Sequence, residues 1–332
     1  MHYLSVGLFC SFLITILIMN WGIKWLKRWQ GKGQPIRDDG PQTHLKKSGT
    51  PTMGGIFIIT CTSIYSSIFC SITKELIIIL FVMLSYGLIG FMDDYSKVKK
   101  QTSKGIRAKL RLVLEFVVAA AVLSILKPST TINVPFLADG IELGAIYYLL
   151  ASIAIVGTAN ATNLTDGLDG LLSGSVIMVF ACFLASCYMV ISGIYPEGKY
   201  GLGLSNDSII NLMMFCILII GVFLGFLWYN ANPAKVFMGD VGSLSIGGVI
   251  GTIAVMLRQE IYLIIVGGIF VAEVLSVMIQ VLSYKTRKKR VFLMAPIHHH
   301  FEKMGLDENT VVVRFWIVNL ILCVLGMFLT TM

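Results

Sequence analysis

The chain has 332 residues, of which 56% are hydrophobic and only 13% charged, with a mean hydropathy of +0.82. This composition excludes a soluble globular domain and defines a polytopic α-helical membrane protein. The net charge of +8 does not signal nucleic-acid binding, because the basic residues gather in a few connections between apolar runs.

Apolar windows predict about ten transmembrane helices, approximately at 4–26, 53–72, 76–92, 111–126, 143–160, 169–192, 208–228, 241–257, 261–283 and 311–331. The fold class is all-α, a polytopic integral membrane protein, with residues 1–332 forming a single transmembrane helical domain. The first run has no basic segment before it and no small-residue cleavage pattern after it. It passes straight into Trp21, Lys24, Trp25, Lys27 and Arg28, so it reads as a retained span with a cytoplasmic anchor. The seven cysteines all lie in apolar runs without CxxC spacing and read as small buried hydrophobes.

Three connections hold most of the basic residues: Lys24 to Lys47, Lys97 to Arg111, and Lys285 to Lys303. They follow spans one, three and nine and therefore share one face, which the positive-inside rule makes cytoplasmic. Both termini then face the outer side. The opposite connections, 73–75, 127–142, 192–207 and 258–260, are poor in basic residues, and 132–141 has the pattern of a small hairpin.

Every carboxylate-rich motif falls on the basic face. Phe91-Met92-Asp93-Asp94-Tyr95 closes span three, Asn160-Ala-Thr-Asn163-Leu-Thr-Asp166-Gly-Leu-Asp169-Gly170 follows span five, and Met238-Gly-Asp240 opens span eight. An Asp-Asp pair at a helix end is ordinarily solvated. Two adjacent carboxylates are both cheaply ionised only beside a cation, which points to a metal site or a shared-proton acid/base pair, and the gathering of several oxygen-donor motifs suits a hard metal such as Mg²⁺. Gly54, Gly55, Gly239 and Gly242 sit at helix starts, where free backbone N–H groups bind anions, although glycine serves close helix packing equally well. Gly247 and Gly248, inside span eight, are assigned to packing. Lys46, Lys47, Lys97, Lys104 and Lys109 offer neutralisation for a multiply charged ligand.

Pro296-Ile-His298-His299-His300-Phe-Glu302 lies in the last cytoplasmic connection. Its histidines suit metal ligation, proton transfer or phosphate contact, or form a solvated cluster, and no more than two of them can work together from a regular helix. Phe237 is placed either to stack on a planar base or to sit at the membrane interface. Glu115 pairs with Arg111 four residues earlier. Glu273, deep in span nine after Gly267-Gly268, has no partner nearby in sequence and points to a helix break or a groove.

With these residues assembled, the chain resembles the phospho-N-acetylmuramoyl-pentapeptide transferases, the MraY family of the polyprenyl-phosphate N-acetylhexosamine-1-phosphate transferase superfamily. The resemblance rests on Gly49-Thr-Pro-Thr-Met-Gly-Gly55, Gly90-Phe-Met-Asp-Asp-Tyr95, Asn160 to Gly170, Val236-Phe-Met-Gly-Asp-Val-Gly-Ser243 and Met294-Ala-Pro-Ile-His-His-His-Phe-Glu302. It implies transfer of phospho-N-acetylmuramoyl-pentapeptide from UDP-MurNAc-pentapeptide to undecaprenyl phosphate. The products are lipid I and UMP, the cofactor is Mg²⁺, and the setting is peptidoglycan synthesis at the bacterial cytoplasmic (inner) membrane. It implies membrane lipid and no nucleic acid as partners, and leaves a homodimer open. By the family pattern Asp240 is the Mg²⁺ ligand, and His298 and His299 lie near the metal and the diphosphate. Lys47, Asn163, Asp166, Gly167, Leu168 and Phe237 match the nucleoside pocket, Lys97 and Lys109 the phosphate contacts, and Asn160, Asp169 and Asn230 other active-site positions.

Two mechanisms stand open: direct displacement with Asp93 as base or orienter beside Asp94, or a covalent phosphosugar-enzyme intermediate on an aspartate. Direct displacement is favoured, because a phosphate monoester is already a competent nucleophile. The competing readings are a sister enzyme that uses UDP-GlcNAc and, more distantly, a secondary transporter.

Overall fold

The computed structural model describes residues 2–31, 47, 49–102, 105–137, 140–195 and 203–331. The chain is helical almost throughout: α1 (His2–Gln30), α2 (Gly55–Phe69), α3 (Lys74–Lys100), α4 (Ala108–Leu126), α5 (Ala145–Thr165), α6 (Leu171–Ile191), α7 (Asn206–Asn230), α8 (Gly239–Leu257), α9 (Glu260–Val266), α10 (Gly268–Arg287), α11 (Ile297–Lys303) and α12 (Glu308–Thr331). Between α4 and α5, β1 (Thr131–Ile132) pairs antiparallel with β2 (Ile141–Glu142), as the hairpin pattern predicts.

All ten expected spans are present as helices. Eight are long and apolar enough to cross a membrane, whereas α2 has only 15 residues and α4 carries Lys109, Arg111 and Glu115. The ninth span is broken at Gly267 into α9 and α10, the interruption that Glu273 pointed to.

Local signals set the helix ends. The Thr73 hydroxyl accepts from Leu76 N–H at the start of α3, and Lys97, Lys99 and Lys100 fill its last turn, where the helix dipole favours cations. The Ser205 hydroxyl caps α7 in the same way.

The most enclosed helix is α8, in which every residue from Val241 to Leu257 is buried. It lies between α3 and α5, while α7 lies between α1 and α6, and α2 touches both groups. Such close contact needs missing side chains: a Cβ on Gly247 would lie 2.6 Å from Ala159 Cα, and one on Gly251 2.7 Å from Ile155 Cα. Association in lipid relies on this packing, since burial of apolar surface gives no advantage over lipid tails. The packing assignment for Gly247 holds, and likewise for Gly248, where a Cβ would lie 3.0 Å from the Tyr86 ring. Among the described residues all seven cysteines are free thiols, six of them buried.

Candidate active site

The last turns of α3 meet the first turn of α8. Gly90 makes this possible, because a Cβ there would lie 2.2 Å from Asp240 O. Asp93 and Asp94, 4% and 1% exposed, are thereby brought beside Asp240, with one oxygen of each within 4.8 Å of the others. Lys97, one turn beyond Asp93, sends its ammonium among them: Nζ lies 2.7 Å from Asp93 Oδ2, 3.0 Å from Asp240 Oδ2 and 3.7 Å from Asp94 Oδ1. Asp94 Oδ1 is buried without a hydrogen-bond partner among the described residues. An orphaned carboxylate oxygen in a hard-oxygen cluster is what a divalent cation would complete, so the residues fit Mg²⁺.

A second cation reaches the cluster from α4. Arg111 places NH1 3.4 Å from Asp240 Oδ2, donates from NH2 to Asn160 Oδ1 at 2.8 Å, and sets Nε 3.4 Å from Glu115 Oε1. Glu115 accepts in turn from the Asn160 amide. The expected pairing of Arg111 with Glu115 is therefore present, as one part of a larger network. Asn163 donates to Asp240 Oδ1 at 2.8 Å and to Ser243 Oγ at 3.0 Å. Asp93 Oδ1 accepts from Ile106 N, just ahead of α4, at 2.8 Å.

The helix-start glycines are occupied differently from an open anion site. Gly54 N and Gly55 N donate to Phe237 O and Met238 O, both at 2.9 Å, and Phe237 N donates to Pro51 O. A Cβ on Gly55 would lie 2.2 Å from Gly242 N, and one on Gly239 2.5 Å from Asp94 Oδ2. Close packing explains these positions, and the start of α8 already holds the protein's own carboxylates: Val241 N donates to Asp94, and Gly239 N to Asp166.

Asp166 follows α5. Its burial, together with the charge of Asp240, pushes its carboxyl well above the usual range, against the opposing hydrogen bond from Gly239. Asp169 is held elsewhere: Oδ1 receives Lys47 Nζ at 2.7 Å, and Oδ2 receives Asn232 and Ala234 N. Lys47 also contacts Glu308 Oε1 at 2.6 Å, at the first turn of α12, and Glu308 accepts from Asp169 N at 2.8 Å. Asn230 accepts from Ser173 and donates to Val236 O, which fixes the connection that carries Phe237.

In the histidine segment, His298 is buried with Nδ1 3.0 Å from Glu273 Oε2, and His299 Nδ1 lies 2.7 Å from Glu302 Oε2. The two rings are 4.1 Å apart. His300 turns away, accepting from Leu293 N, so only two histidines share a place, as helical geometry predicts.

Of the predicted oxygen donors, Asp93, Asp94 and Asp240 converge, Asp166 borders them, and Asp169 belongs to the Lys47–Glu308 cluster. Gly167 abuts His298, Leu168 is buried beneath the histidine helix with Ile269, Val311 and Phe315, and Phe237 is half-buried. Lys109 is exposed on the first turn of α4 and makes no ion pair among the described residues, whereas Arg111, two positions on, enters the cluster. Lys46 and Lys104 lie outside the described residues. Sequence reasoning missed Arg111 as a site cation, Glu308 entirely, and the partner of Glu273. The only sequence signal for the last was an unpaired carboxylate deep in a span.

The glycosyl transferase family 4 model matches residues 76–258, more than half the chain, and so covers both halves of the aspartate cluster. Residues 47–59 match the phospho-N-acetylmuramoyl-pentapeptide-transferase signature 1. The chain is 47% identical over 324 residues to the phospho-N-acetylmuramoyl-pentapeptide-transferase of Bartonella quintana (strain Toulouse), covering 96% of this chain and 90% of that protein. It is 44% identical over 338 residues to that of Rickettsia akari (strain Hartford), covering 98% and 93%. The chain belongs to glycosyl transferase family 4 and, within it, to the phospho-N-acetylmuramoyl-pentapeptide-transferases.

Proposed function

We propose that the chain transfers phospho-N-acetylmuramoyl-pentapeptide from UDP-MurNAc-pentapeptide to undecaprenyl phosphate, giving lipid I and UMP in peptidoglycan synthesis. The observation that carries this is the convergence of Asp93, Asp94 and Asp240 with Lys97 and Arg111 at one end of the helical bundle. A phosphosugar donor dissolved in water and an acceptor anchored in lipid meet only at such an edge. The basic connections on that face support a cytoplasmic site, outward-facing termini and a bacterial inner membrane, with the whole chain acting as one domain.

Asp240, with Asp93 and Asp94 beside it, would hold Mg²⁺. Bound there, the ion supplies charge neutralisation to the diphosphate and the leaving nucleotide. The remaining work falls to the side chains. Asp93 takes the proton of the lipid phosphate, or orients its dianion, and the phosphate oxygen bonds to the β-phosphorus. The bond from that phosphorus to the bridging oxygen breaks, and UMP leaves with the electron pair. Lys97 and Arg111 neutralise phosphate oxygens, with Lys109 at the mouth. Asp94 and Asn163 hold the start of α8 and Asp240 in place. Phe237 stacks on uracil, with Lys47, Asp166, Gly167 and Leu168 lining the nucleoside pocket, while Asn160, Asp169 and Asn230 fix the surrounding backbone and cations. His298 and His299 contact the diphosphate.

The test is UMP release by the detergent-solubilised protein with undecaprenyl phosphate and Mg²⁺, offering UDP-MurNAc-pentapeptide and UDP-GlcNAc in parallel. Release with the muramoyl substrate alone supports the proposal. Release with UDP-GlcNAc alone keeps the chemistry and overturns the substrate, and release with neither overturns both.

A further inference from the structure

Glu273 is fully buried in the second turn of α10, a helix that otherwise turns Leu275, Met278, Ile279 and Leu282 outward. A carboxylate at that depth ordinarily serves a cavity or a partner. Its partner comes from another element: Glu273 Oε2 lies 3.0 Å from Nδ1 of His298, itself 1% exposed, on α11. The opposite edge of the imidazole faces the turn between α5 and α6, where a Cβ on Gly167 would sit 2.2 Å from Nε2. The ring is thus held between a carboxylate and a backbone that has no side chain to crowd it.

Neither His298 nitrogen makes a well-aligned hydrogen bond among the described residues. Buried imidazole nitrogens are ordinarily satisfied, and catalytic hydrogen bonds often align only once substrate is bound. A carboxylate at Nδ1 fixes both the tautomer and the orientation of a histidine, and so decides what Nε2 offers. We infer that Glu273 is a positioning residue that holds Nδ1 of His298 and sets its Nε2 edge against Gly167, in the turn that carries Asp166 beside the aspartate cluster. Glu273 acts only through the imidazole and touches no reacting atom. The break at Gly267 belongs to the same arrangement, because it makes α10 a separate helix whose first turn packs, through Ile269, with Leu168, Ile297 and Phe301 around the histidine segment. The inference rests on the phosphosugar-transfer reading of the site.

The experiment compares steady-state turnover of the full-length protein with that of Glu273→Gln, Glu273→Asp, His298→Gln and the Glu273→Gln/His298→Gln double variant. All are first checked for monodispersity and thermal unfolding. Glu273→Gln keeps the size and removes the charge, and is expected to lower kcat about 10- to 100-fold. The KM for UDP-MurNAc-pentapeptide should stay within about twofold, a split that general loosening of the bundle would not give. Glu273→Asp should recover part of kcat, and the double variant should be no slower than His298→Gln alone. Unchanged kcat in Glu273→Gln, or independent losses that multiply in the double variant, would overturn the inference. If Glu273→Gln does not fold, Glu273→Asp decides alone: its shorter reach must lower kcat, and wild-type kcat overturns the role. Wild-type protein that releases no UMP fails the transfer reading, and the inference with it.

Discussion

Lys97 and Asp240, 143 positions apart in sequence, meet at 3.0 Å where α3 ends against the start of α8. The same ammonium lies 2.7 Å from Asp93 and 3.7 Å from Asp94, so one cation faces three carboxylates. With Arg111 beside it, the protein supplies internally much of the positive charge that a divalent ion would bring.

Replacing Lys97 by Met leaves those carboxylates to repel one another. Removing one partner of a buried ion pair ordinarily costs about 3–5 kcal/mol. In metal-free buffer Lys97→Met should therefore melt well below wild type, and Mg²⁺ should restore more of the loss than it adds to wild type. Equal Mg²⁺ effects on the two melting temperatures would show that Lys97 and the ion do not address the same carboxylates.

Gly55 tests the packing that builds the site. The added Cβ of Gly55→Ala would meet backbone, Gly242 N at 2.2 Å, which cannot rotate away. Overpacking of about 1–3 kcal/mol or more follows, with loss of turnover because α8 carries Asp240. Gly157→Ala, with nothing within 4 Å, is the matched control and should change stability by no more than about 1 kcal/mol. Thermal unfolding of the two variants side by side checks this.

Asp166 makes stability depend on pH. Because burial and the charge of Asp240 raise its carboxyl well above the usual range, the folded state binds a proton that the unfolded chain has released. Its contribution is fully present below the unfolded value, near about pH 4, and is lost as pH rises toward the folded value. Asp166→Asn removes this loss. Its melting temperature in metal-free buffer should exceed wild type increasingly from pH 4 upward, and a difference that stays constant with pH would contradict the assignment.

Stacking by Phe237 has its own readout. Loss of one base–aromatic contact costs about 1–3 kcal/mol, so Phe237→Ala should weaken UDP binding in calorimetry by about 5- to 150-fold. Unchanged UDP affinity would remove Phe237 from the nucleoside pocket and leave it with the interfacial role that most aromatics near a membrane edge have.

The helices and the polar edge were legible because apolar length and clustered Asp and Asn motifs are local signals. Pairings across the bundle were not. Nothing near Glu308 announces Lys47, 261 positions earlier, and nothing near Glu273 announces a histidine on another helix. Arg111 was read as the helical partner of Glu115, which it is, but its guanidinium is wide enough to reach Asn160 and Asp240 as well. The helix-start glycines were ambiguous for a physical reason: the missing side chain that exposes an amide to an anion also admits a second backbone, and here the second backbone is present.

The most direct measurement is UMP release across a Mg²⁺ titration by wild type and by Asp240→Ala, with UDP-MurNAc-pentapeptide and undecaprenyl phosphate as substrates. The aspartate cluster as metal site predicts a saturating Mg²⁺ dependence in wild type and no comparable turnover in the variant at any Mg²⁺ concentration. Ordinary Mg²⁺-dependent turnover by Asp240→Ala would contradict it.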